Sequence, residues 1–294
     1  MMLLHLLIIF ILYNPVSCQI SCYACSRASD TYKYLITADN IPEKLNDCPI
    51  IANQSECVIS MRWFLNNNET ELDMVPETRH KRSISSEHTI TVDAIVGKDG
   101  SSFSLQHSLY YFCSTDKCNS PSSLKRLLQS LTLNDQFMEL IALLRPSTQF
   151  DGHWCLLLSN QTTEACKVPV VVDPNNCKQC STTFISESKS TGSICAGCYT
   201  DDVHQEFLGR EILFNLTDQT QTEIEMINCR SENCNSLRTI DLIRGKMTGA
   251  YRGIGFKVVK KLLQQSSKTN DIILLGSQNI NRGQDISVKL ASQN

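Results

Sequence analysis

The chain has 294 residues, 41% of them hydrophobic and 19% charged, with 15 cysteines and a net charge of −3. That hydrophobic content excludes wholesale disorder, and a balance so near neutrality gives no electrostatic case for nucleic acid or an anionic membrane surface as partner. The length suits two domains of ordinary size with some residues left over.

Residues 1–18 open the chain as a secretory signal peptide. "LLHLLIIFILY" (3–13) is apolar but for His5, Asn14-Pro15 breaks it, and Val16-Ser17-Cys18 places small residues for cleavage before Gln19. A membrane anchor is the alternative reading, and the run is too short to span a bilayer. No other apolar stretch approaches spanning length, so no membrane span is expected in the mature chain. Asn53, Asn68, Asn160 and Asn215 each head an N-x-Ser/Thr triplet, the acceptor pattern for N-glycosylation, and all lie within the cysteine-bearing region.

After loss of Cys18, the cysteines fall into two groups. The first is Cys22, Cys25, Cys48, Cys57, Cys113 and Cys118; the second is Cys155, Cys166, Cys177, Cys180, Cys195, Cys198, Cys229 and Cys234. Each group has a C-x-x-C pair, a middle pair and a closing C-x4-C-N, so "CSTDKCN" (113–119) and "CRSENCN" (229–235) mark the ends of a repeated module. In the second group Cys155 and Cys166 read as an extra upstream pair. Such density in an oxidising compartment reads as a disulfide framework. Zinc competes, because "CKQC" and "CAGC" stand at nearly the spacing of a four-thiolate ribbon. The signal peptide, the sequons and the matching first group favour disulfides, and no histidine stands at ligand spacing. The reading therefore assigns no metal.

The segments between cysteines alternate like half-buried antiparallel strands. In the first group these are "ECVISMRWF" (56–64), "HTITVDAIV" (88–96) and "FSLQHSLYYF" (103–112). Between the first two lies "RHKR" (79–82), a proprotein-convertase pattern for which a solvated basic loop tip is the plainer reading. Next come "SSLKRLLQSL" and "DQFMELIALLR", with apolar residues at helical spacing and Pro146 as terminator, read as a spacer of two amphipathic helices. The second group adds the strands "EFLGREILFNL" (206–216) and "TEIEMI" (222–227).

"SCYAC" (21–25), "DCPIIANQSEC" (47–57) and "YYFCSTDKCN" (110–119) together resemble the LU (lymphocyte antigen/urokinase receptor) family of three-finger domains; "INCRSENCN" (227–235) repeats the closing element. Extracellular domains of the activin-receptor type share that fold. The resemblance implies β-strand fingers on a disulfide-knotted base, with Asn119 and Asn235 tying the last segment into it. It also implies protein binding through variable finger loops, with no catalytic residue. By family analogy Cys22 pairs with Cys57 and Cys113 with Cys118; Cys25–Cys48 is then the economical remainder. By repeat analogy the second group gives Cys229–Cys234, Cys177–Cys198, Cys180–Cys195 and Cys155–Cys166. Cleavage after Arg82 would cross none of the bridges in the first group.

Beyond residue 245 the pattern changes. "TGAYRGIGFKVVKKLLQQ" (248–265), "DIILLGS" (271–277) and "RGQ" resemble the opening βαβ of a short-chain dehydrogenase/reductase of the carbonyl-reductase kind, with Gly249, Gly253 and Gly255 in the phosphate-loop positions. The expected leading strand is too charged, and the Ser and Tyr-x-x-x-Lys elements of that family do not follow. The segment reads as a truncated fusion or a misjoined gene model, and no cofactor is expected to bind.

The expected fold is mainly β and disulfide-rich: a signal peptide (1–18), an LU-like module (19–120), a helical spacer (121–150), a second LU-like module (151–236) and a Rossmann-like α/β fragment (237–294). The expected function is secreted, glycosylated and non-enzymatic, binding an extracellular or cell-surface protein. An oxidoreductase fragment is the alternative. A lipid anchor displaced by the misjoined C terminus is compatible with the pattern.

Overall fold

A computed structural model of the chain describes residues 19–25, 31–77, 88–130, 136–145, 149–161, 166, 174–187, 192–201, 205–218 and 220–247. The signal-like segment, Arg79–Arg82 and the tail with Gly249, Gly253 and Gly255 lie outside the described residues. Contacts along the chain divide it into units at Met1–Val259 and Lys260–Asn294, and everything described belongs to the first.

The fold is mainly β. A short finger is made by β1 (Ile20–Tyr23) and β3 (Ile50–Gln54). All other strands join one ten-stranded sheet. The first cysteine group supplies β2 (Thr31–Tyr32), β4 (Glu56–Phe64), β5 (Glu69–Glu77), β6 (His88–Asp99) and β7 (Ser102–Cys113). The second supplies β8 (Leu158–Ser159), β9 (Gln179–Glu187), β10 (Ser193–Tyr199), β11 (Glu206–Asn215) and β12 (Thr220–Cys229). The order is β2-β5-β4-β7-β6-β11-β12-β9-β10-β8, every pair antiparallel.

The alternation of the sequence explains the two faces. Ile59, Met61 and Trp63 of β4 and Ile90, Val92, Ala94 and Val96 of β6 project to one side and are almost wholly buried; the residues between them are more polar. On the β6–β7 hairpin, Asp99 pairs with Ser102, leaving a two-residue loop whose Gly100 takes φ +58°, a conformation glycine adopts without a Cβ clash. Both edges of the sheet end in two-residue strands, β2 and β8, which offer little template for another chain.

Among the described residues, three α-helices lie on the buried face. α1 (Pro121–Ser130) buries Leu124, Leu127 and Leu128. α2 (Phe137–Ile141) runs into a 3-10 turn at Ala142–Leu144, with the Phe137 ring 5.2 Å from His107 of β7. α3 (Leu237–Lys246) buries Ile240 and Ile243. The sequence-based boundary at residue 236 assigns this last stretch to the dehydrogenase-like fragment; the structure makes it a helix lying on the sheet of the second group. The polar character that disqualifies "DLIRGKM" as a buried strand suits an amphipathic helix. α2 also bridges to α3, since Gln136 N donates to Lys246 O at 3.1 Å and Lys246 Nζ donates to Glu139 Oε1 at 2.7 Å.

Candidate interaction surface

The repeated heptads form the same structure twice. Lys117 and Asn233, each four residues past the first cysteine of its heptad, take φ +54° and +53°. The turns close through Ser120 N to Lys117 O at 3.2 Å and Ser236 N to Asn233 O at 3.1 Å. Within them stand Cys113–Cys118 and Cys229–Cys234, each with Cα atoms 6.1 Å apart. The next serine caps a ten-residue helix in both copies: Ser123 N donates to Ser120 Oγ at 3.2 Å and Thr239 N to Ser236 Oγ at 3.4 Å.

Asn119 and Asn235, both wholly buried, act as clasps. Asn119 accepts from Tyr23 N (2.9 Å) and donates to Tyr23 O (2.9 Å) and Val58 O (3.3 Å). Asn235 accepts from Leu156 N (2.8 Å) and donates to Leu156 O (3.1 Å) and Ser181 O (3.2 Å). Each amide thus holds the residue after one cysteine and the residue after another. Cys155 therefore occupies the place of Cys22, and Cys180 the place of Cys57.

That correspondence explains the bridges. The first group contains Cys22–Cys57, Cys25–Cys48 and Cys113–Cys118. The second contains Cys177–Cys198 and Cys229–Cys234, but also Cys155–Cys180 and Cys166–Cys195 in place of the Cys155–Cys166 and Cys180–Cys195 given by repeat analogy. The analogy matches Cys177/Cys180 to Cys22/Cys25 by their spacing, which the structure does not support. Strand register adds a geometric reason. Cys180 lies opposite Cys198, while Cys195 lies opposite Thr183, an odd number of residues along β9. Cys180 and Cys195 therefore point to opposite faces of the sheet. The sulfurs of Cys155, Cys177 and Cys198 lie within 4.8 Å of one another, a set that shares only Cys177 and Cys198 with the four thiolates of the zinc spacing. All are bridged, and a bridged sulfur offers no thiolate to a metal.

The two groups meet edge to edge where β6 pairs with β11. Asp93 pairs with Ser108, five residues before Cys113; Glu211 pairs with Ile224, five residues before Cys229. Asp93 and Glu211 are thus equivalent positions of the repeat, and they also pair with each other. A local two-fold axis passes between them. Both side chains are half-buried on the sheet face that no described helix covers, beside Ile95, Leu213 and Met226. Burial, reinforced by Glu211, pushes the Asp93 carboxyl up to about 7, and among the described residues its Oδ1 has no hydrogen-bond partner.

Against the helices the repeats have diverged. Val92, Leu109 and His107 of the first group correspond by register to Arg210, Glu225 and Glu223 of the second. There Arg210 pairs with Glu223 and approaches Glu225 at 3.7 Å. Arg244 of α3 donates to both oxygens of the wholly buried Glu225, at 2.8 and 3.1 Å, with its guanidinium 4.4 Å over the Phe184 ring. Two cations and two anions close this cluster, so it anchors α3 to β11 and β12. Alternation in "EFLGREILFNL" places Arg210 on the face of Leu208, Ile212, Phe214 and Leu216, all buried; its carboxylate partners are set by the strand register.

No protein family, curated protein or solved structure matches the chain.

Proposed function

We propose that the chain is a secreted, glycosylated, disulfide-rich protein that acts by binding an extracellular or cell-surface protein through its fingers, without catalysis of its own. The observation that carries this reading is the repeat itself. Two sets of β-hairpins rise from matching disulfide-and-asparagine bases, and this arrangement supports the LU-like resemblance. Three of the wholly buried polar side chains serve the architecture: Asn119 and Asn235 clasp strands, and Glu225 holds α3. The seven bridges fit an oxidising compartment. Among the described residues no helix is long and apolar enough to cross a membrane.

The test uses the full chain expressed through a secretory pathway and titrated onto intact cells. Saturable binding that is lost when surface proteins are removed with trypsin supports the reading. Saturable binding of NADPH or NADH, or reduction of carbonyl substrates, would replace it with the oxidoreductase alternative.

A further inference from the structure

The four N-x-Ser/Thr triplets are equivalent in sequence, and the structure separates them into two kinds. Asn53 and Asn68 are exposed, take left-handed backbone (φ 64° and 54°), and make no side-chain hydrogen bond among the described residues. Asn160, which is also exposed, and the half-buried Asn215 differ in having committed amides. Asn160 Oδ1 accepts from Ile194 N at 2.8 Å while its Nδ2 donates to Gly192 O at 3.0 Å. Asn215 Oδ1 accepts from Thr217 N and Asp218 N at 3.0 and 3.1 Å while its Nδ2 donates to Asp218 Oδ2 at 2.7 Å.

We propose that N-linked glycan is carried on Asn53 and Asn68, and that Asn160 and Asn215 keep unmodified amides as parts of the fold; this rests on the secretory reading above. Transfer bonds Nδ2 to the anomeric carbon of a lipid-pyrophosphate-linked oligosaccharide, breaks the anomeric C–O bond, releases the lipid pyrophosphate and removes one amide proton. The product is a secondary amide, planar and trans like a peptide. The sugar therefore takes the position on the same side as Oδ1, and the remaining hydrogen points away from it; the cis arrangement costs about 2.5–4 kcal/mol.

That geometry decides the sites. Asn160 bonds one strand segment through both Oδ1 and Nδ2, so the hydrogen it donates is the one on the Oδ1 side. A sugar would displace it and break the pairing that holds Asn160 to the start of β10. Asn215 likewise meets Asp218 through both ends of its amide. A chain modified at either position keeps Oδ1 as an acceptor but loses the Nδ2 contact to Gly192 O or Asp218 Oδ2 that completes the clasp, so the secreted, folded population is expected to be unmodified there.

Asn53 has the opposite circumstances. Among the described residues β3 pairs with β1 alone and has no partner on its other edge, and Ile50 and Ile51 are 47% and 42% exposed. A glycan two residues beyond Ile51 shields an apolar strand edge that invites pairing with a second chain. Asn68 sits exposed at the tip of the β4–β5 hairpin, and its side-chain amide makes no hydrogen bond among the described residues. Sugar at that tip removes it from any protein interface and leaves the β6–β7 hairpin and the second group's hairpins as the unglycosylated fingers.

The test is site mapping on the secreted full chain. Glycan is released by amidase in heavy-oxygen water, which turns each carrier asparagine into labelled aspartate for peptide mass mapping. Label is expected at positions 53 and 68 and not at 160 or 215. The double variant N53Q/N68Q loses the whole glycosidase shift, and N160Q retains the wild-type shift. Label at 160 or 215, or its absence from 53 or 68 in an otherwise glycosylated chain, overturns the assignment while leaving the secretory reading intact. A secreted chain with no label anywhere overturns glycosylation itself.

Discussion

Replacing Asp93 with asparagine isolates the charge at the local two-fold axis. The side chain keeps its shape, and the position sits between Ser108 of β7 and Glu211 of β11 with no cation opposite it on either strand. Raising the carboxyl from 3.8 to about 7 corresponds to at most ~4 kcal/mol, at about 1.36 kcal/mol per pH unit. The sign follows from proton counting. Below pH 3.8 both folded and unfolded chains hold the proton, and Asp93 contributes no difference. As pH rises toward 7 the unfolded chain releases it while the folded chain retains it, so stability falls; above 7 the deficit is complete and constant. The substituted amide cannot ionise and lacks this decline. Urea unfolding of the oxidised protein should therefore show D93N more stable than wild type by about 2–4 kcal/mol at pH 8 and equal within ~1 kcal/mol at pH 4. Because other carboxylates titrate in both proteins, the difference between the two profiles reports this site. Parallel profiles over that range would refute the reasoning.

Loss of the Asn235 clasp in N235A removes three hydrogen bonds inside a dry base and should cost about 2–4 kcal/mol in urea unfolding, with N119A similar because its contacts are the same; a loss below ~1 kcal/mol in both would contradict the clasp. E225Q strips the charge that holds Arg244 and should cost about 3–5 kcal/mol, with α3 becoming protease-sensitive first. A Cβ on Gly152 would lie 2.1 Å from Pro174 O and 2.3 Å from Cys177 Cβ. G152A should accordingly lower the yield of correctly bridged protein, read as free thiols on the secreted fraction, and an unchanged thiol count would show that the segment yields.

Much of the fold is legible because local chemistry repeats itself. Alternation in "ECVISMRWF" and "HTITVDAIV" marks β4 and β6, and the paired C-x4-C-N heptads mark the two bases. What escapes is non-local. The equivalence of Cys155 with Cys22 is set by which backbone groups an asparagine reaches, and C-x-x-C spacing points elsewhere. α3 falls to the following segment in the sequence because glycines at 249, 253 and 255 draw the boundary too early. The β6–β11 pairing leaves no trace that a single sequence reveals, since strand edges carry no partner code. The carboxylate partners of Arg210 and the engaged amides of Asn160 and Asn215 likewise depend on which segments meet.

The seam between β6 and β11 also imposes an order on synthesis. Lys98 pairs with Glu206 and Thr89 with Asn215, so each half of the seam waits for residues more than a hundred positions later. At about 5–20 residues per second the first hairpins stand for roughly 5–20 s with the long edge of β6 bare. That edge, "HTITVDAIV", is rich in β-branched residues and prone to pair with another nascent copy. Two copies meeting in the same register as the finished seam would place Asp93 against Asp93 in the middle of the strand. Two carboxylates face to face disfavour that pairing, while the same group destabilises the mature chain. D93N, although more stable once folded, is expected to give lower secreted yield and more aggregate; equal yield would leave Asp93 with no such role.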